Sequence, residues 1–159
     1  DEIVPGRFES GPHKGTKFFA CVAGKEGFLI SDFNGKLLKK DGIGHAQRVS
    51  LANYLPNRPG YEMVVVNFWG HQGIIYFYDS EGNQLWEMEN EHDGHPTMCA
   101  EAVNLYGDAR DEIVTWDYDS MYIYTQDDAP KDDVYAPFKY PDYNASNYRG
   151  EYSYREKWW

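Results

Sequence analysis

Residues 105–126 read LYGDARDEIVTWDYDSMYIYTQ, and four letters inside that stretch, Asp111-Glu112-Ile113-Val114, also open the chain as Asp1 to Val4. A string used at the start and again in mid-motif points to an internal repeat, and a fixed period of tens of residues marks a repeat architecture. Outward from it, HAQRVSLANYLPNRPGYEMVVV from His45 aligns with HPTMCAEAVNLYGDARDEIVTW from His95, so that Glu62 answers Glu112. The period is about fifty residues, and the opening DEIV fits the same slot one period earlier. After each such strand comes a second β-like run: GFLISDFNGKLL from Gly27, GIIYFYDSEGNQLW from Gly73 and SMYIYTQDD from Ser120.

Asn34-Gly35 and Glu81-Gly82-Asn83 supply tight-turn chemistry in the first two of these runs, which therefore read as hairpins. Stretches of Val, Ile, Tyr, Phe and Thr bounded by Gly, Pro, Asn and Asp predict antiparallel β-structure throughout, and helical periodicity is nearly absent. A unit of about fifty residues with about four short strands has the size of a β-propeller blade.

The expected fold is therefore all-β: about three consecutive four-stranded antiparallel blades of a larger β-propeller. Residues 1–40 are expected to hold the second to fourth strands of one blade, 41–90 a full blade, and 91–126 the first three strands of another. Residues 127–159 read as a Tyr-rich strap over a blade edge. Closed propellers use roughly four to eight blades, so the chain is expected to be a piece of a larger protein, completed by a second polypeptide. A small β-sandwich sufficient in itself is the alternative.

Acidic residues number 26 against 15 basic ones, a formal net charge of −11. Bulk electrostatics thus argue against a nucleic-acid or anionic-membrane partner. No apolar run approaches the roughly 18 residues that span a bilayer, and a soluble chain is expected. Cys21 and Cys99 are too few for a disulfide framework and read as buried thiols. Asn144-Ala145-Ser146 is a glycosylation sequon, a weak hint of secretion.

In the blade reading, His45, His92 and His95 precede first strands while His13 and His71 follow second strands, which places all five histidines on loops of one face. Two clusters stand out there. GIGHAQRVS sets His45 and Arg48 at the start of an inner strand. NFWGHQG offers Asn67, Trp69 and His71 at the end of a buried one, an aromatic with two polar heads suited to stacking on a sugar ring. Trp69 as a cap on the blade core is the plainer reading. His92, Asp93 and His95 in EHDGHP combine nitrogen and oxygen donors for a metal. NLYGDARDEIV is similar to the calcium loop of FG-GAP propeller repeats, with Asn104, Asp108 and Asp111 kept. Tyr106 and Ala109 stand where that pattern wants a ligand and a glycine, so the loop reads first as a structural turn.

The stretch LYGDARDEIVTWDYDSMYIYTQDD, followed by the tail DYNASNYRGEYSYREKWW, resembles the closing blades of the β-propeller polysaccharide lyases: rhamnogalacturonan, ulvan and rhamnose-glucuronate lyases. HAQRVSLANYLPNRPGYEMVVVNFWG is similar to their preceding blade, and the resemblance spans most of Arg48 to Tyr148. It implies a parent protein of about seven or eight blades, extracellular or periplasmic, that cleaves an anionic polysaccharide by β-elimination, with rhamnose-glucuronate and ulvan-type substrates ahead of pectic ones. In that chemistry a cation offsets the uronate carboxylate while one group takes the C5 proton and another returns a proton to the leaving oxygen.

Carried over by position, His45, Arg48 and His71 are the catalytic candidates, with His45 for proton transfer and Arg48 for the carboxylate. Asn67, Trp69, Tyr76 and His95 are the substrate-binding ones. His92, Asp93 and His95 could hold Ca2+ or another divalent cation. A non-catalytic carbohydrate-binding propeller and a protein-interaction propeller remain the alternatives from other function classes.

Overall fold

The computed structural model describes residues 2–55, 58–67, 73–89, 99–106 and 111–125. The first antiparallel sheet runs in chain order through β1 (Glu2–Arg7), β2 (Lys17–Val22), β3 (Phe28–Asp32) and β4 (Leu37–Asp41). The second does the same through β5 (Ala46–Ala52), β6 (Glu62–Asn67), β7 (Ile74–Tyr78) and β8 (Gln84–Glu89). In the third, β9 (Cys99–Val103), β10 (Glu112–Trp116) and β11 (Met121–Tyr124) lie side by side in that order. Gly24–Glu26 forms one 3-10 turn, and no α-helix occurs among the described residues. No helix of the described residues is long and apolar enough to cross a membrane.

The run EMVVVN explains how these blade-like sheets stack. Every residue of β6 is buried, which a strand with one wet face would not allow, because successive side chains point to opposite sides. Met63 and Val65, with Tyr76 and Tyr78 of β7, pack against Val4, Phe18, Ala20 and Ile30 of the first sheet. Val64 and Val66, with Ile75 and Phe77, pack against Ala100, Ala102 and Ile113 of the third. The second sheet is thus the middle layer of three. Each fully buried valine contributes roughly 1.5–3 kcal/mol of transfer free energy, so both interfaces are driven by the same three-valine run.

Hairpin turns follow from aspartates as much as from glycines. Asp32 accepts the amide N–H groups of Asn34 and Lys36 at 2.9 Å each. Asp79 accepts those of Glu81 and Asn83 at 2.9 and 2.8 Å. Asp117 accepts those of Asp119 and Ser120 at 2.9 and 2.8 Å. In the first two turns the chain closes through a glycine at positive φ, Gly35 at 82° and Gly82 at 78°, the three-residue hairpin loop that ends in a left-handed residue.

The first sheet departs from the repeat. It holds four strands, and Glu2–Arg7 is its first strand, not its second. KFFACV supplies the extra one, with Phe18, Ala20 and Val22 facing the core. Identical letters therefore occupy an edge strand at β1 and a central strand at β10. A second consequence concerns His13. It falls in the β1–β2 loop, where Ser10 donates to Glu81 of the β7–β8 turn at 3.1 Å. That turn lies at the opposite end of the second sheet from His45, so His13 leaves the face the repeat assigned to it; its ring packs on Phe8 at 5.5 Å. Cys21 is only half-buried, because it alternates with the core-facing Ala20 and Val22. Cys99 is in β9, its side chain outside the described residues.

Candidate functional site

The corner where β5 begins and β6 ends carries three of the sequence candidates that can be placed: His45, Arg48 and Asn67. Gly44, at φ 83°, turns the chain into β5, and the Ala46 amide N–H bonds back to its carbonyl at 3.0 Å. Ala46 then pairs with Asn67, whereas Arg48 pairs with Val66, the register shifting between them. Such a bulge re-aims the side chains beyond it. Ala46, Val49 and Leu51 all join the core shared with the first sheet, which turns Arg48 the other way, toward the third sheet. His45 stands half-buried immediately before the strand.

Asn67 is 3% exposed. Its side-chain N–H donates to the Ile43 carbonyl, fixing the loop that carries His45, and its Oδ1 is buried without a hydrogen-bond partner among the described residues. An orphaned buried acceptor costs about 1–3 kcal/mol, and this one lies at the site corner.

Arg48 is engaged across the sheet boundary. Its guanidinium pairs with the Glu101 carboxylate of β9 and lies over the Trp116 ring of β10, 5.8 Å from the centroid. Ala100 and Ala102 face the second sheet, so Glu101 between them points to the other face. There it is joined by Val114, its register partner, and by Trp116, which pairs with Cys99. With side chains only 23% and 14% exposed, Arg48 and Glu101 form a partly desolvated pair. Its worth exceeds that of a fully wet ion pair, and the cation–π contact adds to it.

Tyr76 is placed elsewhere. At 8% exposure it is a core residue between the first and second sheets, because the β7 pleat sends it inward with Tyr78. A ring so covered offers no open face for sugar stacking. Trp69, His71, His92, Asp93 and His95 lie outside the described residues. Among the described residues no group of three or more His, Cys, Asp and Glu side chains converges as a metal site. Asp111, an oxygen of the calcium-like loop, accepts the Asn53 amide N–H at 2.8 Å and returns its own N–H to the Asn53 carbonyl at 2.9 Å. It ties the second sheet's first loop to the third sheet.

The repeat's matched glutamates are also structural. Glu62 accepts the Tyr54 and Leu55 amide N–H groups at 3.1 Å each, and Glu112 accepts those of Leu105 and Tyr106 at 2.7 and 3.3 Å. In both sheets a buried carboxylate at the start of the second strand holds the loop before it. Burial pushes the Glu62 carboxyl up to about 7, against the pull of those N–H groups. The Tyr54 hydroxyl beside it is raised well above its ordinary value, chiefly by burial.

Sequence reasoning singled out Arg48 but not Glu101 or Trp116, the residues that contact it. Both lie about fifty residues or more from Arg48, in the next repeat, and neither matches a charged or aromatic counterpart one period earlier; only the packing of two sheets brings them to it. No protein-family model, curated protein or solved structure matches the chain.

Proposed function

We propose that the chain forms part of a β-propeller that binds a uronate-containing polysaccharide and cleaves it by β-elimination, on rhamnose-glucuronate, ulvan or rhamnogalacturonan-type substrates outside the cytoplasm. The observation that carries this reading is the β5 corner: a guanidinium over an indole ring, three residues along the chain from a histidine. A cation and an aromatic side by side suit an anionic sugar, whose carboxylate and apolar ring face need one of each.

Arg48 would neutralise the carboxylate, making the C5 proton more acidic, and His45 would take that proton, with His71 as its catalytic partner. Each tuned proton transfer contributes typically ~10²–10⁴-fold. His92, Asp93 and His95 would be the donors for a divalent cation, which would share the neutralising role. The propeller part of the proposal draws support from the outermost faces of the stack. Ile3 on the first sheet, Phe33 in its β3–β4 turn, and Met121 and Ile123 on the third sheet are exposed, and further blades, supplied by a second polypeptide, would cover such surface.

One observation favours a non-catalytic, carbohydrate-binding reading: Glu101 already answers the charge of Arg48, which weakens its pull on a uronate. Native mass spectrometry of the purified protein, followed by ultraviolet absorbance with ulvan, gum arabic and rhamnogalacturonan, separates the two. Rising absorbance from an unsaturated uronate supports the lyase. Binding without such a product moves the chain to the binding-module class, and neither binding nor product refutes both.

A further inference from the structure

Arg48 holds a carboxylate already, and that carboxylate is the chemical group the proposed substrate would bring. Glu101 reaches it from β9, the strand of the third sheet that lies against β5, and Trp116 flanks the pair from the same face as Glu101. The pair is not one of the fold's supports in the way that Glu62 is. Glu62 is 0% exposed and is bonded to backbone, whereas Arg48 and Glu101 both keep some contact with solvent.

The charge of the whole protein bears on the same point. A net charge of −11 repels a polyanion, and in the absence of substrate a bare cation at this corner would draw other anions. An internal carboxylate occupies the cation until a better-placed one arrives.

We propose that Glu101 is a built-in competitor for the sugar carboxylate, a residue that sets the affinity and selectivity of the Arg48 site for hexuronate over neutral sugars. The inference rests on the function proposed above and names the exchange at that site: the uronate takes the guanidinium edge that Glu101 holds, and the Trp116 ring stays beside Arg48 throughout. A planar guanidinium binds either carboxylate through parallel N–H donors, which makes the exchange one of like for like. A neutral sugar has no group that displaces Glu101, so the internal pair also acts as a filter.

The test is calorimetric titration of the whole purified protein with an ulvan-derived oligosaccharide containing glucuronate, and with the same oligosaccharide after reduction of its carboxyl groups. Glu101→Gln removes the competing charge and keeps the shape. It is expected to tighten binding of the acidic oligosaccharide about fivefold or more, the equivalent of releasing one modest ion pair, and to leave the reduced one unchanged. Glu101→Asp, one methylene shorter, is expected to give a smaller gain in the same direction and covers the case in which the amide disturbs folding. Arg48→Lys is expected to lose affinity for the acidic oligosaccharide alone.

Unchanged or weaker binding in both Glu101 variants, with Arg48→Lys still impaired, overturns the competitor role and leaves the Arg48 site standing. Absence of binding in all four proteins, each checked by its thermal melt, overturns the competitor role together with the function it rests on.

Discussion

Replacing Glu62 with Gln should change how stability depends on pH, and the structure sets the size of the change. The carboxyl is fully buried beneath the loop at Tyr54 and Leu55, and burial raises it from the ordinary 4.5 to about 7. Three backbone N–H groups, those of Leu55, Glu62 itself and Tyr54, and the positive charge of Arg58 oppose that rise without cancelling it. Arg58 is itself paired with Asp79 at 3.5 Å and is half exposed. The folded state therefore binds the proton more tightly than the unfolded chain does. Glu62 contributes stability that is fully present below about pH 4.5 and is lost as the pH rises through about 7. The interval is worth ~3 kcal/mol at about 1.4 kcal/mol per pH unit.

In Glu62→Gln the side-chain oxygen still accepts from Tyr54 and Leu55, and nothing titrates. The variant should match the parent near pH 5 and exceed it by up to ~3 kcal/mol near pH 8. Urea unfolding followed by tryptophan fluorescence at pH 5, 6, 7 and 8 measures the difference. Carbon-13 shifts of the labelled glutamate carboxyl give the titration directly. A difference that stays flat across this range, or a parent that becomes the more stable partner as pH rises, would refute the reasoning and mean that Glu62 is ionised in the fold.

Three glycines at positive φ should rank by what a methyl group would meet. A Cβ at Gly27 falls 2.3 Å from the Asp41 carbonyl oxygen, one at Gly82 meets the Ile30 Cδ1 at 2.5 Å, and one at Gly35 meets nothing within 4 Å. Alanine at Gly35 should cost about 1 kcal/mol for the backbone conformation alone, Gly82→Ala more, and Gly27→Ala most, since backbone cannot yield as a side-chain tip does; any other order in thermal melts would contradict the placement. Asp79→Ala removes the acceptor of two amide N–H groups, of the Asn83 side chain at 3.0 Å and of Arg58. It should cost about 2–3 kcal/mol in urea unfolding, and a cost below ~0.5 kcal/mol would show that the turn closes without it.

What the sequence reveals depends on whether a signal is local. The β-runs, the Asn-Gly and Glu-Gly-Asn turns and the stack of similar sheets are visible because alternation and turn chemistry act within a few residues. Arg48 could be singled out because it stands at the start of a strand beside a histidine. Its partners could not, since Glu101 and Trp116 meet it only through the packing of one sheet on the next. The burial of Tyr76 was not legible for a related reason. In a middle layer both pleat directions are interior, and EMVVVN announces that for β6, while the alternation of Tyr76 and Tyr78 with Ile75 and Phe77 in β7 reads equally well with the tyrosines outside.

The repeated DEIV shows where letter-matching and physics part. At Glu112 the buried carboxylate gathers the N–H groups of Leu105 and Tyr106, which precede it in the same sheet. At Glu2 the carboxylate accepts the Val49 amide N–H at 2.8 Å, from the first strand of the next sheet. A buried glutamate needs donors wherever it lies. The same residue thus becomes a loop clamp in a central strand and a bridge between sheets in an edge strand. The letters fix that demand for donors, and the neighbouring strand decides which structure satisfies it.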